Sequence, residues 1–225
     1  MIKNLLQRGL PALALAALPL LTATPAAPAT GAQPAGSAAF GIAGAPGVRA
    51  PLPLFEAIDR IPVADEQREG YKRDLYKHWN RGLNATDGCD TRREVILAEA
   101  LEAPQVAADC KMSGGSWLSP YDDVLVMDAA GLDVDHFVPL AEVHDSGGFA
   151  WDAARREAYA NDQASPLTLI AVTAKSNRSK ADKDPAQWTA TKLRWNLSAD
   201  DAERHALLGV AEHCPNTTVV YEPAP

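Results

Sequence analysis

Two periodicities run through the chain. LFEAIDRIP at 54–62 places Leu54, Ile58 and Ile61 at helical spacing and stops at Pro62, which predicts a short amphipathic helix. Residues 70–80 carry a second, less regular helical pattern. Thr91 heads RREVILAEALEA with Glu94 three residues on, the S/T-x-x-E signature of a capping box, and this helix ends before Pro104. The period then changes: YDDVLVMDAAGLDVDHFV at 121–138 reads as two strands around a D-A-A-G turn. A helix from Trp151 to Tyr159, a short buried strand LTLIAV at 167–172 and one or two helical turns from Thr173 to Lys180 follow. Ser198 with Asp201 caps a last helix through Leu207, Leu208 and Val210 toward His213. Short strands among helices without βαβ alternation define a small α+β domain over 54–215, with 216–225 as a C-terminal tail.

The first 53 residues differ in kind. Lys3 and Arg8 precede the 13-residue apolar run GLPALALAALPLL, too short to cross a bilayer and the right length for a secretory signal. Ala27, Pro28 and Ala29 supply an A-x-A cleavage site, so residues 1–29 are read as a signal peptide and the mature chain as secreted, with no membrane association after cleavage. From Thr22 to Pro53, 26 of 32 residues are Ala, Pro, Gly, Ser or Thr, a composition that buries too little apolar surface to offset its ordering entropy, and 30–53 is read as a linker. An oxidising compartment makes a disulfide expected among Cys89, Cys110 and Cys214; of three possible pairings, Cys89 with Cys110 is preferred.

Charge narrows the choice of partners. Loss of Lys3 and Arg8 with the signal takes the formal charge from −8 to −10, so a polyanionic partner needs a local basic surface or a bound cation. Eight carboxylates and no Lys or Arg lie between Lys111 and Arg155, most of them read as a solvated face. Asp135 is set apart, because it sits in an apolar strand beside His136 where a bare carboxylate is costly to bury. The opposite sign gathers at 175–194, where Lys175, Arg178, Lys180, Lys183, Lys192 and Arg194 stand against Asp182 and Asp184, interleaved with Trp188 and Trp195. Cations and flat rings together are the mix that holds phosphates and bases.

DVDHFVPLAE, LTLIAV and SNRSKADKDPAQW together resemble the HNH endonucleases, the ββα-metal or His-Me finger nucleases, in a secreted actinobacterial-type branch. GYKRDLYKHW, GCDTRREVIL and GGSWLSPYDD resemble upstream motifs of that branch. The resemblance covers 52–213 and implies an HNH core with surrounding helices. It implies nucleic acid as substrate, DNA first and RNA as the alternative, with no indication of a protein inhibitor; an extracellular module that binds nucleic acid or a partner without catalysis, and a small-substrate phosphodiesterase, are the alternative functions. Asp135 and Asn177 become ligands for a divalent cation, Mg²⁺ first with Mn²⁺, Zn²⁺ or Ni²⁺ as alternatives. His136, with an imidazole's ordinary pKa near 6.5, becomes the general base that activates water. Arg92 and Lys180 become phosphate contacts, and Asn161 the nearest substitute for an Asn that many members carry before the second strand. In a regular strand Asp135 and His136 face opposite ways, so one shared site requires the strand to end, twist or bulge there. His144, His205 and His213 are read as structural or surface residues, and His78 beside Trp79 as a packing residue.

Overall fold

A computed structural model describes residues 50–84, 86–177 and 184–225, so the signal segment and most of the linker lie outside the described residues. The architecture is α+β, helices around small antiparallel strand pairs. β1 (Leu52–Pro53) leads into α1 (Leu54–Asp59), whose Leu54 and Ile58 are buried as their spacing predicts, with Ala57 buried beside them and Ile61 buried just beyond the helix end. The 70–80 segment forms only a 3-10 turn, Arg73–Leu75. α2 (Thr91–Ala98) is capped by Asp90, which accepts from the Arg93 N–H, and not by Thr91, which is buried inside the first turn. The expected capping box is absent: the Glu94 carboxylate accepts from the Leu83 and Asn84 N–H groups and ties down the preceding loop. α2 also ends well before Pro104.

β2 (Gln105–Val106) pairs with β3 (Met112–Ser113), and β4 (Trp117–Ser119) with β5 (Val124–Val126). β5 and β6 (Leu132–His136) do flank the D-A-A-G turn, yet they do not pair with each other. Asp128 accepts from the Ala130 N–H and closes a 3-10 turn at Ala129–Gly131, and β6 turns away to pair with β7 (Leu169–Thr173). Between them lie α3 (Leu140–Asp145) and α4 (Ala153–Ala160). α5 (Ala174–Asn177) follows β7 directly.

Sequence reading missed α6 (Pro185–Trp195), although Asp184 caps it by accepting from the Ala186 and Gln187 N–H groups and Pro185 occupies its first turn. α7 (Asp201–Ala211) is capped by Asp200, which accepts from the Glu203 N–H, two residues past the expected Ser198. β8 (Thr218–Val219) returns to pair with β1, and Val219 and Tyr221 join the main core, so the boundaries drawn at 53 and 215 fall inside the packed body.

Two apolar clusters result. The larger gathers α1, α3, α6 and α7 around Tyr159, Trp188 and Trp195; the smaller sets Val95 and Ile96 of α2 against Leu132, Val134, Leu169 and Ala171 of the β6–β7 pair. Cys89 is bonded to Cys110, as preferred, and Cys214 is a free, half-buried thiol. The bridge spans 21 positions. Replacing both cysteines by alanine is expected to lower unfolding free energy by about 3 kcal/mol, read from urea midpoints. Among the described residues no helix is long and apolar enough to cross a membrane.

Candidate functional site

β6 and β7 stay in register from Leu132 opposite Thr173 to His136 opposite Leu169, and the Phe137 N–H donates to the Thr168 carbonyl at 3.0 Å, carrying the ladder one residue further. Alternation then sorts the side chains. Leu132 and Val134 enter the smaller core, while Asp133 and Asp135 share the other face. No bulge separates Asp135 from His136, so they leave the strand on opposite faces and meet different neighbours.

On the acidic face, Asp135 is 9% exposed and accepts from the Tyr121 hydroxyl at 2.9 Å. Asn177, placed by α5, donates through Nδ2 to Asp133 at 3.3 Å. Arg92 reaches over from α2, donating to the Leu132 carbonyl at 2.6 Å and lying 4.0 Å from the Asp133 carboxylate. Where β7 ends, Thr173 donates to Asp122 of the β4–β5 turn at 2.6 Å, and hydroxyl bonds from Ser119 and Thr173 hold that carboxyl below its ordinary range. Two carboxylates and a carboxamide therefore share one strand face. These are hard oxygen donors that suit a divalent cation of the Mg²⁺ type. Asp133 went unrecognised within the acidic run, although its two-residue offset from Asp135 was the available signal; Tyr121 stands inside the motif GGSWLSPYDD, which assigned it no role.

On the other face, His136 is only 4% exposed. Its ring stacks on Trp79 at 5.3 Å and lies near-parallel to Tyr159 at 6.1 Å, with His78 edge-on at 5.8 Å. Nε2 lies 3.0 Å from the Ala160 carbonyl. A carbonyl only accepts, so Nε2 carries the proton and Nδ1 is the acceptor in the neutral ring.

Of the remaining expected site residues, Asn161 alone is among those described. Asn161 holds no strand loop; it ends α4, accepts from the Asn80 N–H at 3.0 Å and donates to the Lys77 carbonyl at 2.8 Å, clamping the segment that carries His78 and Trp79. Thr168 braces the β6–β7 connection instead, through its hydroxyl to Asp162 at 2.7 Å. Lys180 lies outside the described residues, as do Arg178 and Lys183. The basic patch loses its other end to the interior. Lys192 is fully buried on Glu142 and Glu203, Arg194 is buried on Asp162, and Trp188 and Trp195 are core residues with no face left for a base. His144 is structural as expected, its Nε2 donating to the Glu69 carbonyl and its Nδ1 accepting from Tyr76. Glu66, Glu142 and Asp145 also converge, but Lys192 and Arg68 already pair with two of them, and burial raises the Glu66 carboxyl.

One carboxylate behind the strand pair makes stability depend on pH. Glu99, at the end of α2, accepts from the Ala171 N–H of β7 at 2.9 Å, and burial pushes its pKa up to about 7 from 4.5. A raised folded value means the contribution is complete below about pH 4.5 and lost as pH passes 7. Glu99→Gln is expected to be more stable than the parent at pH 8 by about 1–2 kcal/mol after solvent screening, and indistinguishable at pH 4.5, by urea unfolding at both pH values.

Over 162 residues, 65% of this chain and 77% of the other, the sequence is 33% identical to a protein of Arthroderma benhamiae named as an uncharacterized secreted protein. No family model matches the chain, and no solved structure matches it.

Proposed function

The chain belongs to the family of that Arthroderma benhamiae protein and is itself secreted, and from this premise we propose that it is a divalent-metal-dependent endonuclease of the HNH kind, hydrolysing phosphodiester bonds in DNA and secondarily in RNA. One observation carries the reading: Asp133, Asp135 and Asn177 gather on one face of an antiparallel strand pair that runs straight into a helix, and His136, of fixed tautomer, follows Asp135 in the chain on the opposite face.

In this reading Asp133, Asp135 and Asn177 hold the cation, Tyr121 fixes the Asp135 carboxylate through its hydroxyl, and Arg92 sits where a phosphate oxygen would add to its contacts. A bound divalent cation supplies charge neutralisation at the phosphodiester and its leaving oxygen. His136 offers Nδ1 as its acceptor, because Nε2 is committed to the Ala160 carbonyl, and its role as the base for the water requires the strand end to turn that atom toward the acidic face.

The burial of His136 favours a second reading, in which the imidazole is a fixed member of an aromatic stack and the fold binds nucleic acid without cutting it. Supercoiled plasmid separates the two. Nicking is expected with Mg²⁺, abolished by EDTA and restored when the metal is returned; nicking that continues in EDTA removes the proposal. Absence of nicking with any divalent metal, alongside salt-sensitive binding, selects the second reading.

A further inference from the structure

Lys192 and Arg194 are interior residues and Lys175 alone of that patch is exposed among the described residues, which directs the search for further cations that meet a polyanion to other segments. The segment 72–81 carries Lys72, Arg73, Lys77 and Arg81 against Asp74 alone, on a chain that is otherwise acidic. Its aromatic residues point the other way. Tyr76 is fully buried, its hydroxyl bonded to His144 Nδ1 at 3.3 Å, and it lies so close to Gly148 that a Cβ there would stand 2.5 Å from its hydroxyl. Trp79 lies on His136. Rings directed inward leave Lys72, Arg73 and Lys77 exposed on the outer side.

The seat of this segment is built at a cost. Trp79 has φ of 60°, a left-handed conformation that a bulky side chain adopts only when its surroundings impose it. Asn161 supplies two of the imposing bonds, to the Asn80 N–H and the Lys77 carbonyl, and Glu157 a third, accepting from Asn80 Nδ2 at 2.5 Å. His78 then links the outer cations to the inner ring. Its Nδ1 donates to the Tyr76 carbonyl at 2.7 Å, so its Nε2 is the acceptor and lies 3.5 Å from Arg73 Nη2, while the same ring stands edge-on to His136.

Resting on the nuclease reading, we propose that Lys72, Arg73 and Lys77 form the surface along which the nucleic-acid backbone is held beside His136, contacting phosphates and not bases. Lysine and arginine on an exposed segment, without flat rings facing outward, read charge and not sequence.

The test compares wild type with K72A/R73A/K77A, K72R/R73K/K77R and R60A/K111A, which removes two other exposed cations. Binding of a labelled DNA duplex in EDTA is measured from 50 to 300 mM salt. Loss of three phosphate contacts should lower the slope of log K against log salt by about 2.7, at about 0.9 per contact. The charge-conserving and control variants should keep the wild-type slope. With Mg²⁺, K72A/R73A/K77A should lose plasmid cleavage through a raised KM while hydrolysing bis(p-nitrophenyl) phosphate at the wild-type rate. An unchanged slope in the triple alanine variant overturns the proposal, as does a failure of wild type to bind DNA at 50 mM salt or binding to phosphatidylglycerol vesicles in place of DNA. The reduced slope in a protein that never cleaves would uphold this surface and remove the nuclease. Unimpaired DNA cleavage by the triple alanine variant would do the reverse.

Discussion

His136→Ala is expected to lower plasmid nicking by about 10²- to 10⁴-fold, the contribution of a positioned general base. The ring is fixed on three sides, by the Trp79 indole, the Tyr159 phenol and the Nε2 bond to the Ala160 carbonyl. Such fixing leaves Nδ1 in one place, and placing the acceptor lowers the entropic cost of proton transfer. The same burial gives the substitution a structural cost, since alanine leaves both a gap in the stack and an unpaired carbonyl, for about 1–3 kcal/mol of stability. Rates therefore need to be compared at a temperature where both proteins are folded. The pH profile separates the two effects: a lost base removes the limb of the kcat/KM profile that the imidazole produces, whereas a merely loosened site lowers the rate at every pH without changing its shape. A folded His136→Ala protein that nicks at the wild-type rate would end the general-base assignment.

Local patterns were legible where burial follows a simple period. α1 follows the spacing of Leu54 and Ile58, and β6 and β7 follow the alternation and apolar run that mark them. α6 was hidden because its buried face includes Lys192 and Arg194 beside Trp188 and Trp195. A buried cation looks like a surface one until its carboxylate is found, and these partners, Glu142, Glu203 and Asp162, lie 50, 11 and 32 positions away. The same blindness extended the basic patch to Lys192 and Arg194, which are interior, while Lys175 is exposed and Arg178, Lys180 and Lys183 lie outside the described residues. Strand partners were equally opaque: neighbours in sequence around D-A-A-G pair elsewhere because one Asp128 bond closes a 3-10 turn. For the site, Asp135, His136 and Asn177 were singled out by resemblance, and the structure sets Asn177 beside the strand, bonded to Asp133. The opposite facing of Asp135 and His136 followed from pleating alone, whereas the clamp of Asn161 on 77–80 joins segments some eighty residues apart that no local pattern connects.

Lys192→Met should cost about 3–5 kcal/mol, because it removes one partner of a buried charged network and leaves the others uncompensated. Lys192 is 0% exposed, and the three N–H groups of Nζ are shared among four acceptors, Glu142 at 2.8 Å, Glu203 at 2.5 Å, Ser146 Oγ at 2.8 Å and the Ser198 carbonyl at 2.8 Å. One ammonium thus joins α3, α6, α7 and the turn before α7, and methionine fills the volume of the stem without replacing any of these bonds. The deficit carries a signature in pH. Burial already raises the Glu203 carboxyl above 4.5, with Lys192 acting in the lowering direction, so removal of the lysine raises it further. A raised folded value favours the native state below 4.5 and is lost as pH climbs, and the variant should therefore lose most at pH 8 and recover part of its stability near pH 5. Adding Glu203→Gln to Lys192→Met should flatten that dependence, since a neutral amide needs no counter-charge. Urea unfolding of the three proteins at pH 5 and pH 8 measures all of this, and a Lys192→Met deficit that is small, or equal at both pH values, would show that the network is solvated and not interior.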